Sequence, residues 1–212
     1  FYKKGNMIFN LDKAKDCRSE TNEVIIVEGY MDVVSLYSSG IKNVIANSGT
    51  ALTDRQIEII WKFFSNPIIC LDGDQSGQKA ALRIAEKLFP LINDQNKIYF
   101  SIMPEENDPD EYIKQHGKEN FLALLKEKQV IQSYIWNYHL QKIDRNNPFE
   151  VSRFEKEIKK LCYSIKDETL KKYVLEDFLE KIKKLTPIQS SRKPSQRFQK
   201  FVKNQNYQIL NE

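Results

Sequence analysis

The residues best suited to chemistry are acidic and come in three groups, each directly after an apolar run. Glu28 and Asp32 lie in Glu-Gly-Tyr-Met-Asp after 24–27, Asp72 and Asp74 in Asp-Gly-Asp after 68–71, and Asp108 and Asp110 in Asp-Pro-Asp after 98–103. In an open parallel sheet, residues just past the carboxyl ends of the strands share one edge, and ligands bind there. Three such strands bring all six carboxylates towards one region. That many like charges repel unless cations sit among them. A hard divalent ion, Mg2+ before all others, takes a few carboxylate oxygens and leaves positions open for phosphate.

Each group has other readings. Asp72-Gly-Asp74-Gln-Ser76-Gly77 resembles the start of a helix–loop–helix calcium site, but its twelfth position is Arg83, where a bidentate Glu is required. It also resembles the strand-end Asp of enzymes that form an aspartyl phosphate. The remaining alternatives are a pair of metal ligands and a plain turn. Glu28 either faces a cleft or serves as a favourable charge at a helix N-terminus, and Asp32 follows one turn later. Asp108-Pro-Asp110 taken alone is an ordinary N-cap turn. Occurrence of all three groups, in this order and at three strand ends, favours a shared metal site. Lys79 and Arg83, one turn apart beside Asp-Gly-Asp, and Lys3, Lys4 and Arg55 are candidates for phosphate contacts, with a solvated helix face as the alternative for the first pair. His116 and His139 have no ligand pattern around them.

The elements that position these groups alternate. Strands are expected at 24–27, 43–46, 68–71 and 97–103, and helices at 30–38, 54–64 and 78–88. Gly40 ends the first helix, Thr53 with Gln56 forms a capping box for the second, and Pro67 stops it. Strands alternating with helices imply a parallel sheet with right-handed crossovers. After Asp108 the pattern is helical only, over 111–116, 118–126, 130–143, 148–163 and 166–185. Phe149, Phe154, Ile158 and Leu161, then Leu170, Val174, Phe178 and Ile182, form apolar stripes of a small bundle. The expected division is a lead-in over 1–22, an α/β catalytic domain over 23–112, a helical subdomain over 113–185 and a flexible basic tail over 186–212.

The 212 residues are 41% hydrophobic, enough for a core. No apolar run approaches the roughly 20 residues that span a bilayer, and these residues show no signal-peptide pattern. Cys17, Cys70 and Cys162 are scattered, consistent with reduced thiols in the cytoplasm, and Cys70 reads as core filler. The net charge is +4, but from Lys181 onward eight basic residues face Glu212 alone, a net +7 that leaves −3 for the first 180 residues. A basic tail behind an acidic body suits a polyanionic partner or a solvated linker. The start Phe-Tyr-Lys-Lys, without Met, reads as a segment of a longer protein.

Glu-Gly-Tyr-Met-Asp-Val-Val at 28–34, Asn-Ser-Gly-Thr at 47–50, Asp-Gly-Asp-x-x-Gly at 72–77 and Asp-Pro-Asp at 108–110 resemble the Toprim domain of bacterial DnaG-type primases. The likeness is close over about 1–125 and architectural to about 185. It implies a Toprim-like parallel sheet with flanking helices, in the RNA polymerase core of an enzyme that makes short RNA primers on single-stranded DNA from ribonucleoside triphosphates. By the same resemblance Glu28 is the catalytic acid/base or metal-organising carboxylate, and Asp72 and Asp74 bind the main Mg2+, for which Mn2+ can substitute. Asp32, Asp108 and Asp110 complete the acidic site, and Lys4 joins a basic rim along template and nucleotide. The resemblance further implies an upstream half of the core, a zinc-binding domain, a C-terminal domain that meets the replicative helicase, and a place at replication forks in the cytoplasm. Two alternatives stay open: another Toprim phosphodiester enzyme of nuclease or topoisomerase type, and a non-catalytic nucleic-acid or helicase adaptor.

Overall fold

The computed structural model describes residues 7–47, 52–104 and 107–185. Five strands form one sheet in the order β2-β1-β3-β4-β5: β1 (Glu23–Val27), β2 (Val44–Ala46), β3 (Asn66–Leu71), β4 (Tyr99–Ile102) and β5 (Gln129–Val130). The first four are parallel, and β5 runs antiparallel to β4 through Tyr99–Val130 and Phe100–Gln129. Before, between and after them lie α1 (Leu11–Ala14), α2 (Tyr30–Ser38), α3 (Asp54–Trp61), α4 (Gln75–Leu88), α5 (Pro109–Lys126), α6 (Ile131–Leu140), α7 (Pro148–Ser164) and α8 (Glu168–Leu185).

Strand side chains alternate between faces. Val24, Ile26, Ile69 and Leu71 enter a core shared with α3, α4 and the bundle helices, whereas Ile25, Val27, Ile68 and Cys70 enter a second core under α2 and α5. Both faces of β1 and β3 are therefore covered, which is why these strands read as unbroken apolar runs. Cys70 is fully buried and all three cysteines are free. The first core continues into the bundle, where Trp136 meets Phe154 and Phe178 at ring distances of 5.0 and 5.3 Å.

Several element boundaries differ from the sequence-based ones: α3 ends at Trp61 instead of 64, β4 spans only Tyr99–Ile102, and α6 ends at Leu140 instead of 143. Helix α4 begins at Gln75, three residues early, because Asp74 caps it. Strand β3 starts at Asn66 and takes Pro67 into its first residues, opposite Val24, so this proline opens a strand as well as following a helix. Gly117, at φ 79° and ψ 173°, kinks α5 into the two expected pieces. The short elements α1 and β5 carry too little periodicity to be read from sequence. At the far edge, Phe9 makes an isolated antiparallel bridge to Ala46. Among the described residues no helix is long and apolar enough to cross a membrane.

Candidate metal and catalytic site

The sheet order reverses between β1 and β3, and the acidic groups lie at the carboxyl ends of those strands and of β4, where such a crevice opens. Glu28 directly follows β1 and is exposed. Asp72 and Asp74 follow β3 and are half-buried. Asp108 stands at the N-terminus of α5, just after β4.

Three backbone devices hold the groups together. Asp74 Oδ1 accepts from the Gly77 N–H at 2.6 Å, capping α4. Gly77 packs so closely on the strand end that a Cβ there would stand 2.4 Å from the Asp72 carbonyl oxygen. A side chain is excluded, so this glycine is required by proximity, not by its dihedral angles. The Gly73 N–H donates to the Asn107 carbonyl at 3.1 Å, tying the Asp-Gly-Asp turn to the residue before Asp108. Asn107 is itself buried and its amide donates to Pro104 O at 3.2 Å.

Charge crowding is concentrated on Asp72. Its carboxyl is pushed up to about 6, first by burial and then by Glu28, Asp32, Asp108 and Asp74. Residues separated by up to 80 positions thus act on one carboxylate. The Asp32 carboxyl is also raised, mainly by burial, although the backbone N–H groups of Gly29 and Asp110 both donate to it. Asp32 is thereby a tie between α2 and α5 as well as part of the acidic field. Asp108 Oδ1 accepts from the Glu111 N–H at 2.6 Å, so it also caps its helix. Asp110 behaves oppositely to Asp72. Hydrogen bonds from Lys114, at 2.6 Å, and from Ser35 hold its carboxyl below the usual range.

Among the described residues, no three His, Cys, Asp or Glu side chains form a ready-made metal cage. The all-oxygen donors and the unbalanced charge around Asp72 nevertheless fit a hard divalent ion. Mg2+ commonly binds through one or two carboxylates and keeps its waters for exchange with phosphate oxygens.

A cleft of about 510 Å³ adjoins the edge, floored by Ile26, Leu52, Ile69, Leu71 and Ile84, with Glu28 and Arg83 as its charged lining. Lys79 and Arg83 are both exposed on α4, and only Arg83 lines this cleft. Arg55 is engaged with Glu58 at 3.4 Å. Lys3, Lys4, residues 48–50 of Asn-Ser-Gly-Thr and the basic tail lie outside the described residues. Sequence reasoning missed Asn107, Ser35 and Lys114. The Asp110–Lys114 spacing of four on one helix was a usable signal; the Asn107 carbonyl had none.

Residues 22–100 match the family described as Toprim domain. The chain is 30% identical over 181 residues to the DNA primase of Escherichia coli K12, covering 85% of this chain and 31% of that protein. It is 31% identical over 170 residues to the DNA primase of Rickettsia prowazekii, covering 80% and 29% respectively. Among solved structures, a DnaG primase catalytic domain bound to single-stranded DNA superposes with a TM-score of 0.78 at 30% identity, over 85% of this chain and 57% of that one. The E. coli primase catalytic core gives 0.78 and 30%, over 85% and 58%. This chain spans about a third of the length of the relatives it matches.

Proposed function

With residues 22–100 a Toprim domain, carried on the fold of a DnaG catalytic core, we propose that this chain is the metal-binding part of a primase that makes short RNA primers on single-stranded DNA. The supporting observation is the convergence of Glu28, Asp32, Asp74 and Asp108 on Asp72, at the edge of a Toprim sheet. The reaction is a nucleotidyl transfer. The 3′-hydroxyl oxygen of the primer bonds to the α-phosphorus of a ribonucleoside triphosphate, and pyrophosphate leaves.

Asp72, Asp74 and Asp108 would hold Mg2+, or Mn2+ in its place. Held there, such an ion would supply charge neutralisation at the phosphate oxygens and would lower the cost of ionising the attacking hydroxyl. Glu28, exposed at the end of β1, accepts the hydroxyl proton or would help to hold the ion. Asp32 and Asp110 join α2 to α5 and so set the position of Asp108. Arg83, which lines the cleft, and Lys79 on the same helix meet the triphosphate, and Lys4 is the further cation that the likeness to primases assigns to this role. The single-stranded DNA bound by the related catalytic domain is the model for the template here. A zinc-binding domain and a contact with the replicative helicase belong to the whole protein, acting in the cytoplasm at replication forks.

The test is primer synthesis by the full-length protein on a single-stranded template with four ribonucleotides and Mg2+. Asp72→Ala is expected to lower the rate at least about a hundredfold, the scale seen when a group that stabilises the transition state is removed. Undiminished synthesis by that variant refutes the site. Cleavage of nucleic acid without ribonucleotides would favour a nuclease instead. Absence of Asp72-dependent Mn2+ binding would favour an adaptor.

A further inference from the structure

The six carboxylates differ in one respect that bears on how ions enter. Among the described residues, Asp110 is the one member of the six that is ion-paired. Lys114, one turn later on α5, places Nζ 2.6 Å from Asp110 Oδ2. The lysine side chain is 64% exposed and the aspartate 18%, so the ammonium covers the carboxylate from the solvent side. Ser35, on α2, donates to the same carboxylate. On the Asp72 side the neighbouring charges that dominate are Glu28, Asp32, Asp108 and Asp74, all negative. One flank of the acidic edge carries its own cation, and the other has an unmet demand for one.

From this asymmetry we infer that Lys114 is a tethered counter-cation, which occupies Asp110 and makes metal loading sequential. It rests on the metal site proposed above. The first divalent ion goes to the Asp72 side, where repulsion is greatest. A second ion reaches Asp108 and Asp110 only when the ammonium swings out. Because Lys114 is largely in water, its withdrawal breaks an exposed pair and no buried one, so this is a gate that opens readily. Lys114 is a positioning residue in this scheme, since it acts through Asp110. The plain alternative is an ordinary i,i+4 helix pair without influence on metal binding.

Titration of the protein with Mn2+, following free Mn2+ by electron paramagnetic resonance, separates the two. The wild-type chain is expected to bind one ion tightly and a second weakly. Lys114→Met is expected to tighten the second by about two- to fivefold, the scale of an exposed ion pair. Lys114→Arg, which keeps the charge, is expected to restore the wild-type isotherm. Asp72→Asn is expected to remove the tight ion. Superimposable wild-type and Lys114→Met isotherms, alongside loss of the tight ion in Asp72→Asn, overturn the role of Lys114 and leave the metal site standing. An unchanged isotherm for Asp72→Asn overturns the metal site itself. Melting curves in chelator confirm that each variant is folded at the titration temperature.

Discussion

Replacing Asp72 by Asn removes the most strained charge of the acidic edge and keeps its shape. The carboxyl of Asp72 rises from the ordinary 3.8 to about 6. A shift of about two units corresponds to roughly 3 kcal/mol for a buried group, and solvent screening at a half-exposed site reduces this to about 1–2 kcal/mol. The sign follows from proton linkage. The folded chain holds this proton more tightly than the unfolded chain does. The stabilisation it brings is complete below pH 3.8 and is lost as pH rises through about 6. In chelator at pH 8, Asp72→Asn is therefore expected to melt about 2–8 °C above the wild type, taking 2–4 °C per kcal/mol for a domain of this size. The gap is expected to close between pH 7 and pH 4. Asp32, also raised by burial, is present in both proteins and cancels in the difference. Adding Mg2+ is expected to raise only the wild-type melting temperature, through binding to the folded state. Melting curves from pH 4 to 8, with and without Mg2+, make the comparison. A variant no more stable than the wild type at pH 8, or a gap indifferent to pH, would refute the account of charge crowding.

Asp74 does two jobs, and two variants separate them. Asp74→Ala is expected to lose the α4 cap and about 1 kcal/mol, against the simpler expectation that removing a repelling charge leaves stability unharmed; Asp74→Asn keeps the cap, and both variants lose Mn2+ binding. Gly77→Ala is expected to cost about 1–3 kcal/mol through overpacking against Asp72, and to weaken Mn2+ binding measured at a temperature where the variant is still folded. Ending the chain after Leu185 is expected to flatten the salt dependence of single-stranded DNA binding, if its basic residues neutralise phosphates; an identical slope makes that segment a linker.

Much of this was readable from the chain because burial wrote it there. Strands β1 and β3 are covered on both faces, so they appear as runs of Val and Ile. Helix α3 announced itself through Thr53 and Gln56, whose capping box is formed as expected. The strand-end placement of Glu28 and Asp72 followed from the same alternation. What stayed hidden depends on contacts between distant segments that involve backbone atoms. The Gly73–Asn107 hydrogen bond needs no particular side chain at either end. The partition of the acidic cluster into a compensated Asp110 and an uncompensated Asp72 depends on where Ser35 and Lys114 fall in space. Two-residue β5 follows from its position beside β4, not from any pattern in Gln129 and Val130.

The margins of the sheet have a consequence for behaviour at high concentration. An open row of amide and carbonyl groups invites another chain to add a strand and start a growing assembly. Here the β2 side is crossed by the Phe9 bridge, and the opposite side ends in a strand only two residues long and reversed in direction. Neither offers a template long enough for stable addition. Among the described residues, the sheet thus exposes an acidic rim beside apolar central strands while its two margins give another backbone little to pair with.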